Sequence, residues 1–134
     1  MPQAVSEYCV YTIKEGKRLV QIAESGKKAR FEERRSWVTA RKLWQKAREA
    51  EQAMPLLLGD AADCSRLLFW GLLTDLRVAE GGTSFTVDRL RRLPGQHAPQ
   101  ELILRSRKKP IAPNFIRPYA ICVTPAFVKN ASLR

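Results

Sequence analysis

The sequence predicts an α+β domain in which a curved, mostly antiparallel sheet closes toward a small β-barrel, with two N-terminal helices packed on it. Three observations predict this class. The element order is strand, helix, helix and then strands; the apolar segments after residue 55 follow strand patterns; and two of those strands form one clear hairpin. No regular crossover helices separate the later strands, which disfavours a doubly wound parallel sheet.

The chain is expected to form a single domain over residues 1–134. Its composition, 45% hydrophobic, is enough for a core and argues against disorder. No apolar run approaches the roughly 20 residues of a membrane span, and the N-terminus lacks a signal-peptide pattern, so a cytoplasmic location without a membrane partner is expected. The three cysteines include no Cys-x-x-Cys pair. Neither a disulfide framework nor a metal site is therefore indicated, and no cofactor is expected.

The N-terminal third is predicted to contain one strand and one short helix. Residues 8–13 are rich in aromatic and β-branched side chains, which favour a strand. Residues 15–25 carry apolar side chains at spacings of three and four, and Gly26 follows where a left-handed helix cap belongs. Residues 26–35 then form a basic turn that continues as a strand or a loop.

A longer helix is predicted from the N-cap Ser36 to Pro55. Trp37 and Trp44 are seven residues apart and share one helical face. Two indoles at this spacing are typical of a core stripe, and Trp44 is interpreted in that way. Trp37 follows two arginines, so a role in stacking on an unpaired base stays open for it.

The most apolar part of the chain predicts a strand at residues 55–58 and a long strand at 66–78, with a loop at 61–65 between them. Gly71 interrupts the long strand, and such a glycine marks a bulge, a barrel corner or a close backbone approach. Residues 80–82 supply turn chemistry, and residues 83–87 are the expected antiparallel partner. These two strands make the predicted hairpin.

The last third is rich in proline, which limits where strands can form. Residues 93–99 are expected to be a loop, residues 101–105 a strand, and residues 109–119 an extended path set by three prolines. A final strand is predicted at 119–123, followed by a tail that packs through Phe127.

Part of the N-terminal half resembles a known family. Residues 25–34, Ser-Gly-Lys-Lys-Ala-Arg-Phe-Glu-Glu-Arg, follow the first helix and are similar to the Gly-Lys-Lys-Thr-x-Glu-x-Arg turn of ASCH domains, which belong to the PUA-like β-barrel group. The Leu-Gly-Asp of residues 58–60, with the long strand after it, also resembles that group. The likeness covers about the first 80 residues.

The resemblance implies a PUA-like barrel that binds RNA or a modified base. A few small members of the group hydrolyse an acylated cytidine with a Lys, Thr and Glu set. Lys28 matches the lysine of this set, whereas Ala29 replaces the threonine. The glutamate falls on Phe31, or on Glu32 if one residue has been inserted.

The charge pattern points to a polyanionic partner. The chain has 24 Lys and Arg against 13 Asp and Glu, a net charge of +11. Residues 14–48 carry +8, residues 49–88 carry −5, and residues 89–117 carry +7. If the two basic blocks meet in the fold, they form one surface with salt-sensitive affinity for polyanions. The alternative is a solvated basic surface that only aids solubility.

We therefore predict a nucleic-acid-binding domain that takes RNA or single-stranded nucleic acid in a basic groove, with its oligomeric state left open. One rim is expected to consist of Lys27, Lys28, Arg30, Arg34 and Arg35, with Trp37 beside it as a further nucleic-acid-binding residue. The other rim is expected to consist of Arg107, Lys108, Lys109 and Arg117.

Two alternatives belong to other functional classes. The first is a small hydrolase acting on a modified nucleoside, with Lys28 as base or nucleophile and Glu32 or Asp75 as its acidic partner. The second is a protein-interaction module whose basic surface meets an acidic partner, or which dimerises through residues 67–70. His97 lies in a Gly/Pro loop where exposure is expected, and the sequence shows no catalytic triad pattern or phosphate-binding loop, so binding without catalysis is favoured.

Overall fold

A computed structural model describes residues 4–111 and 119–129 of the chain. The strands in this part are β1 (Tyr8–Lys14), β2 (Ala29–Glu33), β3 (Met54–Asp60), β4 (Asp63–Ala79), β5 (Gly82–His97) and β6 (Tyr119–Val123). The helices are α1 (Gly16–Ser25), α2 (Val38–Glu49) and α3 (Ala126–Lys129), with one 3-10 turn at Pro99–Glu101. The predicted α+β class with two N-terminal helices is confirmed. Within these residues, the helices are too short or too polar to cross a membrane.

The six strands form one mixed sheet in the order β2-β5-β4-β3-β1-β6. Only the β1/β3 pair is parallel, so the sheet is mostly antiparallel, as predicted. Its edge strands β2 and β6 share no backbone pairing in the described part of the chain, so the predicted closure into a barrel is not confirmed. Side chains connect the two sides of the sheet instead, because the Trp37 ring stacks on Phe85 of β5, the neighbour of edge strand β2, at 4.9 Å and on Tyr119 of edge strand β6 at 4.6 Å.

The β4–β5 hairpin gives the sheet its curl. Its register shifts at three places, between Leu67 and Phe69, between Trp70 and Leu72, and between Leu73 and Asp75. Such bulges bend a strand and increase its local twist. The bend lets one hairpin pair with β3 through the first half of β4 and with β2 through the first half of β5.

Gly71 lies inside the second of these register shifts. A Cβ atom at this position would come within 2.6 Å of Val87 Cγ2 and 3.0 Å of the Asp88 carbonyl oxygen. The sequence prediction of a bulge or a close backbone approach is therefore confirmed at this glycine.

Some predicted element boundaries are wrong. β5 continues to His97 through the expected loop at 93–99, because its second half pairs with the first half of β4. β4 also begins at Asp63, inside the loop expected at 61–65. The strand expected at 101–105 is reduced to isolated bridges, Ile103 with Pro110 and Leu104 with Cys122.

The helices are positioned by contacts with the sheet. α1 ends at Gly26, which has a φ of 68° and donates its N–H to the Ile22 carbonyl at 3.2 Å, as predicted. α2 begins at Val38, and Ser36 does not cap it. The Ser36 hydroxyl instead donates to the Ala79 carbonyl at 3.0 Å, which ties the segment before α2 to the end of β4.

Buried side chains form two clusters, one on each face of the sheet. The first contains Trp37 and Trp44 with Phe31 and Phe85, covered by α1 and α2. The second contains Tyr11 and Trp70 with residues from the C-terminal part of the chain. Central strands are consequently apolar on both faces, as expected for the interior of a covered sheet.

Candidate nucleic-acid interface

The first predicted rim follows α1 and continues along β2. Lys27 and Lys28 are exposed in the turn between these elements. Alternation along β2 then directs Phe31 into the core, where it is 1% exposed, while Arg30 stays at the surface. Arg30 lies 3.8 Å from Glu32, but both side chains are more than two-thirds exposed, so water screens this pair.

Arg34 and Arg35 extend this rim beyond β2 and are exposed. Thr83 holds their segment in place: its hydroxyl donates to the Arg35 carbonyl at 2.7 Å and accepts the Trp37 N–H at 2.8 Å. The backbone is therefore fixed while both guanidinium groups remain in solvent. Neither arginine has an ion pair with an acid in the part of the chain that the structure describes.

Trp37 is not part of an accessible rim. Its side chain has no exposed surface, and it is enclosed between the rings of Phe85 and Tyr119. The expectation that it stacks on an unpaired base is corrected, because burial in the core leaves no ring face for a ligand. Trp44, which is 5% exposed, is in the core as predicted.

The second predicted rim is a turn that precedes β6 in the chain and follows residues 103–105, which pair with β6. Arg107, Lys108 and Lys109 are exposed, and the turn is closed by hydrogen bonds from the Lys108 N–H to the Leu104 carbonyl and from the Leu104 N–H to the Lys109 carbonyl, both 2.8 Å. None of the three cations pairs with an acid within the described ranges. Arg117 lies outside the described residues.

Contacts bring the two rims toward the same half of β6. Arg34 and Arg35 lie between Glu33, whose carboxylate pairs with Lys14 at the end of β1, and Trp37, which stacks on Tyr119. Residues 103–105 run antiparallel to β6, and the Arg105 N–H bonds to the Ile121 carbonyl, so the turn that reverses the chain after residue 105 lies near the first half of β6. The two basic segments thus approach the first half of β6 from different parts of the chain.

A half-buried ion pair lies in the interior beside these rims. Lys14 and Glu33 are in contact, with side chains 17% and 15% exposed. The Lys14 ammonium also lies 5.7 Å from the centre of the Phe31 ring and 5.9 Å from that of Phe85. Arg18 covers the outer side of Phe31 at 4.2 Å.

Lys14 has a lowered pKa, which is unusual for a lysine. Burial lowers the pKa of the Lys14 ammonium, and the neighbouring charge of Arg18 lowers it further, while contact with Glu33 opposes that shift. Burial raises the pKa of the nearby Tyr119 hydroxyl. Trp37 contributes a buried indole N–H that has no hydrogen-bond partner in the described structure.

Sequence reasoning missed Lys14, Glu33 and Arg18 as members of one site. A signal was present, because Val10, Thr12 and Lys14 share one face of β1, and Phe31 and Glu33 share one face of β2. What the pattern lacked was the curl of the sheet, which brings the ends of β1 and β2 together.

The predicted catalytic set around Lys28 is not assembled. Lys28 is exposed, and no carboxylate lies within hydrogen-bonding distance of its ammonium in the described chain. Glu32 is 79% exposed, and Asp75 is paired with Arg77 at 3.0 Å. Lys28 therefore lacks the burial and the acidic partner that a reactive lysine needs.

Residues 67–70 also differ from the expectation of a dimerisation surface. Leu67, Phe69 and Trp70 are at most 2% exposed, because they pack into the two cores of the same chain. Among the described residues, no group of three or more His, Cys, Asp or Glu side chains is arranged to hold a metal ion.

Comparisons with protein-family models, with curated proteins and with solved structures found no match to this chain. The resemblance to ASCH domains therefore remains a prediction from the sequence.

Proposed function

We propose that the protein binds RNA or another single-stranded nucleic acid through the exposed cations of the two rims. The observation that carries the proposal is that two basic segments, distant in sequence, lie beside the same half of β6, and most of their charges lack an acidic partner among the described residues. Uncompensated surface cations bind a phosphate backbone by releasing its condensed counterions. Because the Trp37 ring is buried, the exposed cations of the rims supply the affinity through phosphate contacts.

The finer fold assignment belongs to the same proposal. We infer that the curled sheet is an open form of the PUA-like, ASCH-type barrel. Support comes from the Trp37 bridge between Phe85 and Tyr119, which joins opposite regions of the sheet without closing it by hydrogen bonds. The lysine-rich turn after α1 occupies the place that the resemblance implies.

Anisotropy titrations of a labelled single-stranded RNA between about 50 and 300 mM salt test the binding. The affinity is expected to fall with a slope of roughly 0.7 in log K against log salt for each phosphate contacted. The variants Arg34→Gln/Arg35→Gln and Arg107→Gln/Lys108→Gln are each expected to weaken binding and to reduce that slope by about one to two units.

A matched control removes two charges outside the rims. Lys42 and Lys46 are exposed on α2, and Lys46 lies about 12 Å along the helix from its first residue. The variant Lys42→Gln/Lys46→Gln is expected to bind RNA almost as tightly as the wild type. The proposal fails if no binding occurs at low salt, if affinity does not fall with salt, or if the control loses as much affinity as the rim variants.

A second candidate function is hydrolysis of a modified nucleoside, and the Lys14–Glu33 pair is the observation that favours it. A lysine acts as a base or nucleophile at moderate pH only when its pKa is depressed, and burial together with Arg18 lowers the pKa of Lys14. The candidate lysine is therefore Lys14 in place of Lys28.

Deacylation of an N-acylated cytidine, followed by chromatography, tests this candidate. Lys14→Met is expected to reduce turnover by about 100-fold or more, whereas Lys28→Met, the exposed control, retains it. Wild-type turnover is expected to rise with pH, with a midpoint below the ordinary lysine value of about 10.4, because Lys14 acts after losing its proton. No turnover by the wild type, or equal loss in both variants, would exclude the candidate.

A further inference from the structure

A separate pocket opens between β4 and β5, at the end of the hairpin away from its turn. Its volume is about 190 Å³. It uses none of the rim residues and none of the Lys14 cluster. Its walls include Arg66, Leu67, Arg92, Leu93, Gly95 and His97.

A large bulge in β5 creates this pocket. Leu67 of β4 lies opposite His97, and Phe69 lies opposite Arg92. Four residues of β5, 93–96, therefore face the single residue 68 of β4, and the extra backbone is pushed out of the ladder. Gly95 permits the sharp path because its φ is 80°, a conformation that costs glycine little. Bulges of this kind often re-aim side chains next to functional sites.

Two arginines are among the residues that line the pocket. Arg66 and Arg92 are exposed, and neither forms an ion pair with an acid in the described part of the chain. Arg92 is held over the Phe69 ring at 5.1 Å, which restricts its side chain. Below them, Leu67 and Leu93 are 2% and 7% exposed and provide an apolar floor.

His97 supplies a third polar group with a fixed orientation. Its Nδ1 lies 3.0 Å from Glu101 Oε1, and its ring stacks on Phe127 at 3.8 Å. Glu101 is itself anchored by the Ala98 N–H at 2.6 Å. The hydrogen bond from His97 lowers the pKa of Glu101 most, and the bond from the Ala98 N–H lowers it further. The Glu101 carboxylate is therefore charged and accepts a hydrogen bond from Nδ1–H of His97.

This arrangement leaves Nε2 as the atom that His97 offers to a ligand. Nε2 faces Gly95, since a Cβ atom built there would lie 3.7 Å from it. Nε2 donates a hydrogen bond when the ring is protonated and accepts one from a hydroxyl when the ring is neutral. The sequence expectation of a solvent-exposed His97 is corrected, because its side chain is only 18% exposed.

We propose that this pocket binds a phosphate monoester, with Arg66, Arg92 and His97 contacting the phosphate. Guanidinium groups suit phosphate geometry, so the two arginines supply donors to the terminal oxygens of a monoester, and His97 Nε2 adds a third donor when the ring is protonated. The pocket is larger than a phosphate group, and its leucine floor receives the group attached to the phosphate. The monoester is either a free nucleotide or the terminal phosphate of a strand, which share this chemistry.

Calorimetric and NMR titrations with a nucleoside 5′-monophosphate test the proposal. The monophosphate is expected to shift the Gly95 and His97 amide signals and to bind at least about tenfold more tightly than the same nucleoside without phosphate. Arg66→Gln, Arg92→Gln and His97→Gln are each expected to weaken binding about tenfold. Arg89→Gln removes an exposed charge from the same strand outside the pocket and is expected to have little effect.

A 5′-phosphorylated oligonucleotide identifies the source of the monoester. A strand end is the ligand if the 5′-phosphate raises the affinity of the oligonucleotide above that of the free monophosphate. A free nucleotide is the ligand if it does not. The proposal is overturned if the nucleoside binds as well as the monophosphate, if inorganic phosphate binds as tightly as the monoester, or if the pocket variants bind like Arg89→Gln. The rim variants leave this pocket intact, so the monoester proposal and the RNA-binding proposal can be refuted separately.

Discussion

At the scale of single residues, Trp37 decides how the sheet is held together. Its indole has no exposed surface and lies between Phe85 and Tyr119. Stacked aromatic pairs add about 0.5–1.5 kcal/mol to the stabilisation from burial. Its unpartnered N–H is a cost, so the stabilisation comes from the ring and not from hydrogen bonding.

Trp37→Ala is therefore expected to destabilise the protein by about 3–5 kcal/mol, since it leaves a cavity between two rings. Urea unfolding measures the change. The neighbouring control Val38→Ala, at a side chain 49% exposed, is expected to change the free energy of unfolding by about 0.5 kcal/mol or less. Unchanged stability with lost RNA affinity in Trp37→Ala would contradict the core role and restore the base-stacking interpretation.

Burial makes Cys9 and Cys122 chemically unreactive. Cys9 and Cys122 lie opposite each other on β1 and β6 and are fully buried. Burial raises the pKa of the Cys122 thiol to about 12 and that of Cys9 well above its ordinary value. Both thiols stay neutral at moderate pH and behave as small apolar side chains.

At the scale of elements, the β4–β5 hairpin shapes the sheet, forms the pocket and contributes to both cores. Its three register shifts curl the sheet, and its deepest bulge forms the pocket beside His97. The same hairpin contributes Phe85 to one core and Trp70 to the other. Changes that straighten it should therefore affect both stability and the pocket.

Gly71→Ala tests the bend. The added methyl group would meet Val87 Cγ2 and the Asp88 carbonyl, so a loss of about 1–3 kcal/mol from overpacking is expected. Thr74→Ala, at an exposed position three residues later on β4, is the control, with an expected change below about 1 kcal/mol. Denaturant unfolding of both variants compares them, and a Gly71→Ala protein as stable as the wild type would mean that the strand does not need the close approach.

At the scale of the whole molecule, the distribution of the net charge of +11 matters more than its size. The sequence separates it into two basic blocks. The Trp37–Tyr119 stacking and the pairing of residues 103–105 with β6 place parts of both blocks beside that strand. A basic surface of this kind speeds association with polyanions and makes affinity depend on salt. The salt titration proposed for the rim variants is thus a test of the global charge arrangement.

Local patterns in the sequence predicted a large part of the fold. The first strand, the cap at Gly26, α2 with its buried Trp44 and the hairpin with its bulge at Gly71 all follow from spacing and residue type. Those signals depend on neighbouring residues, which is why they can be read along the chain. The exposure of the rim cations was also foreseeable, because unpaired charges are rarely buried.

Tertiary structure alone decided which residues form sites. Lys14 and Glu33 are 19 positions apart, and they meet only because the sheet curls. Trp37 became a core residue and His97 a pocket residue for the same reason, since long-range pairing set the burial of each. The sequence by itself therefore determined the α+β class, most elements and the basic character of the surface. The folded sheet determined the open edges, the half-buried Lys14 and the pocket, because these depend on bulges and pairings between distant strands that local patterns do not encode.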